Sequence, residues 1–328
     1  MTTITAKDVS ELRKATGAGM MDCKEALKES GGDFDGALEV LRKKGQKVAA
    51  KRADRETNEG VVVALKNDAG NQAIVLAVSC ETDFVAKNDD FIGFVNEIGQ
   101  LALKEAPATK EDLLALPFGG STVAEKLVDN TGKTGEKTEI FGYHLVSGDN
   151  ITSYVHAGSK IGVVVSYKDG GKDDADQFFR SVAMHIAAMS PSIMDPSEFD
   201  LDFVTKETEM IQAQIKAEND LNEAENLGKP MKTIPQFVSK LQLTPEVMAK
   251  VEEDIKAELA AEGKPEKIWD KIVPGKVERF VADNTKLDQE RCLLSQFFAL
   301  DDSKTVDSAI KEFSPDAEVV VYKRLAVG

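Results

Sequence analysis

Glu81-Thr82-Asp83-Phe84-Val85-Ala86-Lys87-Asn88-Asp89 stands between two runs of different period. Before it, residues 73–78 are an apolar, β-branched-rich run of strand length; after it, Phe91, Phe94, Val95, Ile98 and Leu101 recur at helical spacing. The stretch is therefore a loop from a buried strand into an amphipathic helix. Upstream, residues 61–65 form a second strand-like run, and Asn67-Asp68-Ala69-Gly70-Asn71 between the two is a hairpin signal. Downstream, strand-like runs return at 138–146, 152–155 and 161–167, followed by a helix carrying Ala175, Phe178, Phe179, Val182, Ile186 and Met189 that Ser190-Pro191 stops. Residues 318–322 make a final strand. Hairpins followed by covering helices, without regular strand-helix-strand alternation, predict an α+β fold with antiparallel sheets rather than a doubly wound one. Within the loop, Phe84 has two readings. Asn88 or Asp89 caps the helix and Phe84 tucks beneath it as a staple, or strand and helix hold Phe84 outward as a wedge for a partner.

Outward from this centre, residues 1–56 read as three short helices. Val9 and Leu12, then Ala26 and Leu27, then Phe34, Ala37, Leu38 and Leu41 supply one apolar stripe each. Breaks are expected at Thr16-Gly17-Ala18-Gly19, Gly31-Gly32 and Gly45, and N-caps at Thr5, with Asp8 three residues on, and at Asp33. Met20 and Met21 follow the first break, in a bundle too small to bury both. Residues 42–55 hold seven basic side chains against Asp54 alone, which reads as a solvated helix and linker. Residues 203–262 are polar, with 7 lysines, 12 acidic residues and two aromatics, Phe203 and Phe237. Helical runs at 203–227 and 245–262 flank Pro230 and Pro235, so an antiparallel helical hairpin is expected there.

The 328 residues carry a formal charge of -16, which opposes long-range attraction to nucleic acid or an anionic membrane. The longest apolar stretches are strand-sized, far short of the roughly 20 residues that cross a bilayer. The polar N-terminus has no signal-peptide core, so a cytoplasmic protein is expected. Cys23, Cys80 and Cys292 are odd in number and widely spaced, against a disulfide framework, and with His144, His156 and His185 they show no zinc-ligand spacing. No phosphate-binding glycine loop, nucleophile elbow or HExxH motif occurs. No cofactor, metal or enzymatic activity is expected. Two other readings stand beside a binding protein: an RNA-associated adaptor using 42–55, which lacks the interleaved aromatics of a single-strand binder, and an enzyme using Cys80.

Thr16-Gly-Ala-Gly-Met-Met-Asp-Cys-Lys-Glu-Ala-Leu27 together with Glu81-Thr-Asp-Phe-Val-Ala-Lys-Asn88 resembles the paired signatures of the elongation factor Ts family, the guanine-nucleotide exchange factors of the GTPase elongation factor Tu. Ile161-Gly162-Val163, Ala183-Met184-His185-Ile186-Ala187, Gln296-Phe297, Lys304-Thr305-Val306 and Ala317-Glu318-Val319 continue the resemblance in order along the chain. It implies a ubiquitin-associated-like three-helix bundle with its basic linker over 1–56. It further implies a two-part α+β core, first over 57–148 and second over 149–202 and 272–328, with a coiled-coil-like helical protrusion inserted at 203–271. It also implies translation elongation as the process, elongation factor Tu as the partner, and no direct nucleotide binding. Leu12, Met20, Met21 and Lys24 would grip the partner's nucleotide-binding domain. Thr82, Asp83, Phe84 and Val85 would enter beside its magnesium and phosphate site, and Ile161 and His185 would meet another domain. For His185, at the edge of an apolar helix face, contact and core remain equal alternatives. The insertion is longer than the family's usual protrusion, and the sequence ends at Arg324-Leu-Ala-Val-Gly328 without the terminal helical module of some members.

Overall fold

The computed structural model describes residues 4–225 and 228–328. They form two compact units, one comprising the chain up to Ala187 with the terminal Asp316–Gly328, the other Ala188–Pro315.

The first unit begins with α1 (Ala6–Thr16), α2 (Met20–Glu29) and α3 (Phe34–Lys51). Thr5 and Asp8 make a reciprocal capping box, and Asp33 accepts from the Gly36 amide at 2.7 Å, so both expected caps form. Leu12, Cys23, Ala26, Leu27 and Ala37 close a small core. Gly45 is no break: it lies inside α3, and the reason is a neighbour distant in sequence. A Cβ added to Gly132 would fall 2.7 Å from the Gly45 Cα, so the two helices cross with backbones in contact and Gly132 cannot carry a side chain there, while a Cβ on Gly45 would already touch the Val128 carbonyl at 3.4 Å. The basic stretch is correspondingly a docked helix end rather than a free linker. Arg42 pairs with Glu125, Lys44 with Asp22 at 2.6 Å, and Arg52 with Glu81 at 2.7 Å.

After the bundle, β1 (Glu59–Lys66) and β2 (Gln72–Cys80) form the expected hairpin, its turn closed by Asn67 Oδ1 accepting the Asn71 and Gln72 amides. The chain continues through α4 (Asp83–Ala86), α5 (Asp89–Glu105), α6 (Lys110–Ala115), the minimal strands β3 (Pro117–Phe118) and β4 (Ser121–Thr122), α7 (Val123–Thr134) and β5 (Glu139–Ser147). β5 joins the hairpin in the antiparallel order β1-β2-β5. A second antiparallel sheet, β10-β7-β6, consists of β6 (Asn150–Val155), β7 (Ile161–Asp169) and the final β10 (Ala317–Ala326).

The near-continuous apolar runs of β1 and β2 are explained by burial on both faces. Val61, Val63, Ile74, Leu76 and Val78 pack against Phe91, Val95 and Ile98 of α5, while the alternate residues Val62, Ala64, Ala73, Val75 and Ala77 meet Ile151 and Val164 of the second sheet. On the second sheet, Tyr167 of β7 stacks on Phe179 of α8 (Ala175–Met189), ring centroids 4.2 Å apart.

The second unit holds α9 (Leu201–Ala224), α10 (Pro245–Ala261), α11 (Trp269–Asp283), α12 (Lys286–Arg291), the strands β8 (Phe297–Phe298) and β9 (Asp301–Thr305), and α13 (Val306–Phe313). Positions 226 and 227 of the expected 203–227 helix lie outside the described residues. The pairing inside the insertion differs from expectation: α10 folds back alongside α11, where Lys276 bridges Glu258 at 2.9 Å and Glu262 at 4.0 Å. α9 is instead lined by the chain that follows it, Gln212 donating to the Pro235 carbonyl and Asn219 exchanging two bonds with Lys232. Residues 236–242 cross between α9 and α12 as a strap ending in a 3-10 turn, most of whose amides are satisfied by side chains. Asn284 takes Gln236 and Phe237, Gln242 takes Val238 and Ser239, and Asp288 takes Lys240.

Candidate partner interface

β2 delivers the loop and α5 receives it, and the residues between are fixed from both sides. Glu81 accepts from Arg52 Nη1 at 2.7 and 2.8 Å and from the Lys137 amide at 2.7 Å. Burial alone would raise the Glu81 carboxyl; the Lys137 amide and then Arg52 outweigh it and hold it below the usual carboxylate range. Thr82 donates its amide to Glu136 Oε2 at 3.0 Å and its hydroxyl to Glu136 Oε1 at 2.7 Å. One helical turn, α4, follows. Asp83 pairs with Lys87 at 2.7 Å, which holds its carboxyl low, and Asn88 caps α5 by accepting from the Asp90 amide at 2.8 Å.

At about 100° per residue a single turn sends consecutive side chains to different faces. Val85 packs on the main core, Ala86 is buried, and Phe84 stands 85% exposed. Phe84 is therefore no staple; the aromatic beneath α5 is Phe91, 2% exposed. A fully displayed phenyl ring, held by a rigid strand and a capped helix, is an anchor shape for a hydrophobic partner pocket.

The bundle shows the same division. Met20 and Met21 are 60% and 64% exposed at the start of α2, and Lys24, one turn on, is exposed beside them. Leu12 lies in the bundle as expected but is fully buried, so it presents no surface to a partner in this conformation. His185 is likewise only 1% exposed and cannot meet a partner in this conformation. Ile161, half-buried, opens β7 opposite Ala326.

The sequence reading overlooked α7 and the corner after it, although Thr122 and Glu125 spell a capping box before Val123 and Leu127. This element touches both signatures. Gly17, in the left-handed region at φ 67°, abuts Lys133, which reaches Asp90 at 2.8 Å, and Glu136 holds Thr82.

Cys80 is buried and its thiol is pushed up to about 12, first by desolvation and then by the Glu136 charge, the opposite of an activated nucleophile. Among the described residues no cluster of His, Cys, Asp or Glu could hold a metal ion, and no helix is long and apolar enough to cross a membrane. A groove of about 490 Å³ between the bundle and α7 is lined by Asp22, Arg42, Lys44, Asp90 and Lys133, whose charges are engaged with acidic or basic groups of the chain.

Comparison with known proteins agrees with this picture. The family model described as Elongation factor TS matches residues 81–234 and 231–328. Proteins named Elongation factor Ts are similar over the whole chain: that of Rhodopirellula baltica at 68% identity and that of Flavobacterium johnsoniae at 47%, each also matched over 100% of its own length. That of Streptococcus agalactiae serotype V is 46% identical over 100% of this chain and 93% of its own. With its paired signatures displayed on one α+β scaffold and relatives matched end to end, the chain belongs to the elongation factor Ts family.

Proposed function

We propose that this protein binds elongation factor Tu and promotes GDP release and GDP/GTP exchange by disturbing the magnesium and phosphate site of that GTPase, acting in the cytoplasm without covalent chemistry. The observation that carries this reading is Phe84, 85% exposed on a one-turn helix whose other apolar residues are packed inward. Met20, Met21 and Lys24 grip the nucleotide-binding domain. Thr82, Asp83, Phe84 and Val85 form the intruding edge, and Ile161 meets a further domain. Leu12 and His185 shape those surfaces from within. Release follows from differential binding, because the factor favours a GTPase conformation in which the nucleotide contacts are spoiled. Linkage makes the effect reciprocal: the factor by which it weakens nucleotide binding is the factor by which nucleotide weakens its own. The test is stopped-flow release of fluorescent GDP from elongation factor Tu with catalytic amounts of this protein. Acceleration with many turnovers per molecule is expected; an unchanged release rate rejects the reading.

A further inference from the structure

We propose that Glu136, at the corner between α7 and β5, is the positioning residue that stiffens the Phe84 wedge and fixes it relative to the bundle. The inference rests on the exchange reading above. A helix of one turn does not hold itself, since nucleation costs more than its few hydrogen bonds return. α4 is closed by the Ala86 amide to the Thr82 carbonyl at 3.2 Å, the Lys87 amide to the Asp83 carbonyl at 3.0 Å and the Asn88 amide to the Val85 carbonyl at 3.0 Å. Its N-cap residue, Thr82, makes no side-chain bond to the α4 backbone. Instead both Thr82 donors are spent on the two oxygens of Glu136, one each, which ties the start of the turn to a different element.

Glu136 is itself held. The Thr134 hydroxyl accepts from its amide at 3.2 Å while donating to the Asn130 carbonyl of α7 at 2.9 Å, following Gly135 in the left-handed conformation. One turn earlier on α7, Lys133 lies against the Gly17 turn of the bundle and pairs with Asp90 at the start of α5. The corner therefore braces the gripping surface and the intruding surface from one rigid piece. A wedge displaces what it pushes against only if its own mounting yields less, so loss of the brace should cost the release step and spare the grip.

The experiment is GDP release from elongation factor Tu, read as a saturating rate and a half-saturation concentration, beside thermal unfolding of each free variant. Glu136→Ala is expected to lower the saturating rate about fivefold or more while half-saturation stays within about twofold, in keeping with two lost hydrogen bonds. Glu136→Gln, whose amide can accept from the Thr82 amide and donate to its hydroxyl, should recover most of the rate. Should Glu136→Ala fold poorly, Thr82→Val removes the hydroxyl bond from the other end and should slow release in the same sense. A wild-type saturating rate in Glu136→Ala, or in Thr82→Val where that variant replaces it, overturns the proposal. So does Glu136→Gln as slow as Glu136→Ala, since the charge would then be acting on the partner directly. Phe84→Ala run alongside separates the two readings. If it releases GDP at the wild-type rate the wedge itself is wrong and the brace falls with it; if it is slow while the corner variants are not, only the brace is wrong.

Discussion

Phe84 and Phe91 are seven residues apart, and the structure sends one to solvent and the other to the core: 85% against 2% exposed. The same truncation should therefore have opposite consequences. Phe84→Ala is expected to leave the melting temperature nearly unchanged and to slow GDP release about tenfold or more, the loss of roughly 1.4 kcal/mol of contacts that act in the releasing state. Phe91→Ala should cost about 3–5 kcal/mol of stability, as for a buried phenyl ring anywhere. Thermal unfolding beside stopped-flow release checks both, and a Phe84→Ala protein that melts early while exchanging normally would contradict the assignment. His144 on β5 supplies a pH test. Burial, and then the nearby Lys323 charge, lower its pKa from the ordinary 6.5. The unfolded chain then takes up a proton that the folded one refuses, so stability is lost as pH falls below 6.5 toward the folded-state value. His144→Gln should flatten that part of the stability profile in denaturant titrations, with the wild type retaining it.

At the scale of elements, the crossing of α3 on α7 depends on two glycines with nothing between them. Gly132→Val should force the helices apart and cost about 1–3 kcal/mol in chemical denaturation, the usual range for overpacking. It should also slow release, because the bundle and the Glu136 corner move apart together; an unaltered midpoint would show that the helices can slide without cost. Gly45 illustrates what a sequence leaves hidden. The strands, the hairpin turn and the caps at Thr5, Asp33 and Asn88 were legible because their causes are local: alternation, a turn motif, one acceptor three residues or fewer from its donor. Gly45 resembles a break until Gly132 is set against it, and α10 resembles the partner of α9 until Lys276 of α11 is seen beside Glu258 and Glu262. Of the candidate site, exposed Met20, Met21 and Phe84 were readable as large apolar residues in polar settings. The burial of Leu12 was legible as part of the apolar stripe of α1, that of His185 was one of two readings, and the part played by Glu136 depends on a contact between distant segments and was not.

At the scale of the whole molecule, the charge of -16 and the mixed composition say little about which stretches can be removed, whereas the placement of the buried clusters does. Removal of residues 1–56 takes α3 away from α7 and strips Arg52 from Glu81, so the remaining chain should melt at a lower temperature as well as lose affinity for the GTPase. The insertion makes the sharper test. Phe199, Phe203, Val204, Ile211, Val238, Leu241 and Leu287 form one apolar cluster of the second unit, and residues 236–242 are held across it by Asn284 and Asp288. Replacing 203–262 by a short turn removes most of that cluster and leaves the buried Asp288 carboxylate without the Lys240 amide. Excising 246–282 instead removes the α10–α11 hairpin, whose buried residues Val251, Leu259 and Val273 lie outside that cluster, and retains the strap with its acceptors Asn284 and Asp288, Asn284 losing only its bonds to Phe280 and Val281. The smaller excision should preserve a cooperative thermal transition and most of the exchange activity, while the larger one should broaden or abolish the transition of the second unit. Calorimetry of the two deletion variants decides it: equal cooperativity in both would mean that the strap and its apolar cluster contribute nothing to holding this unit together.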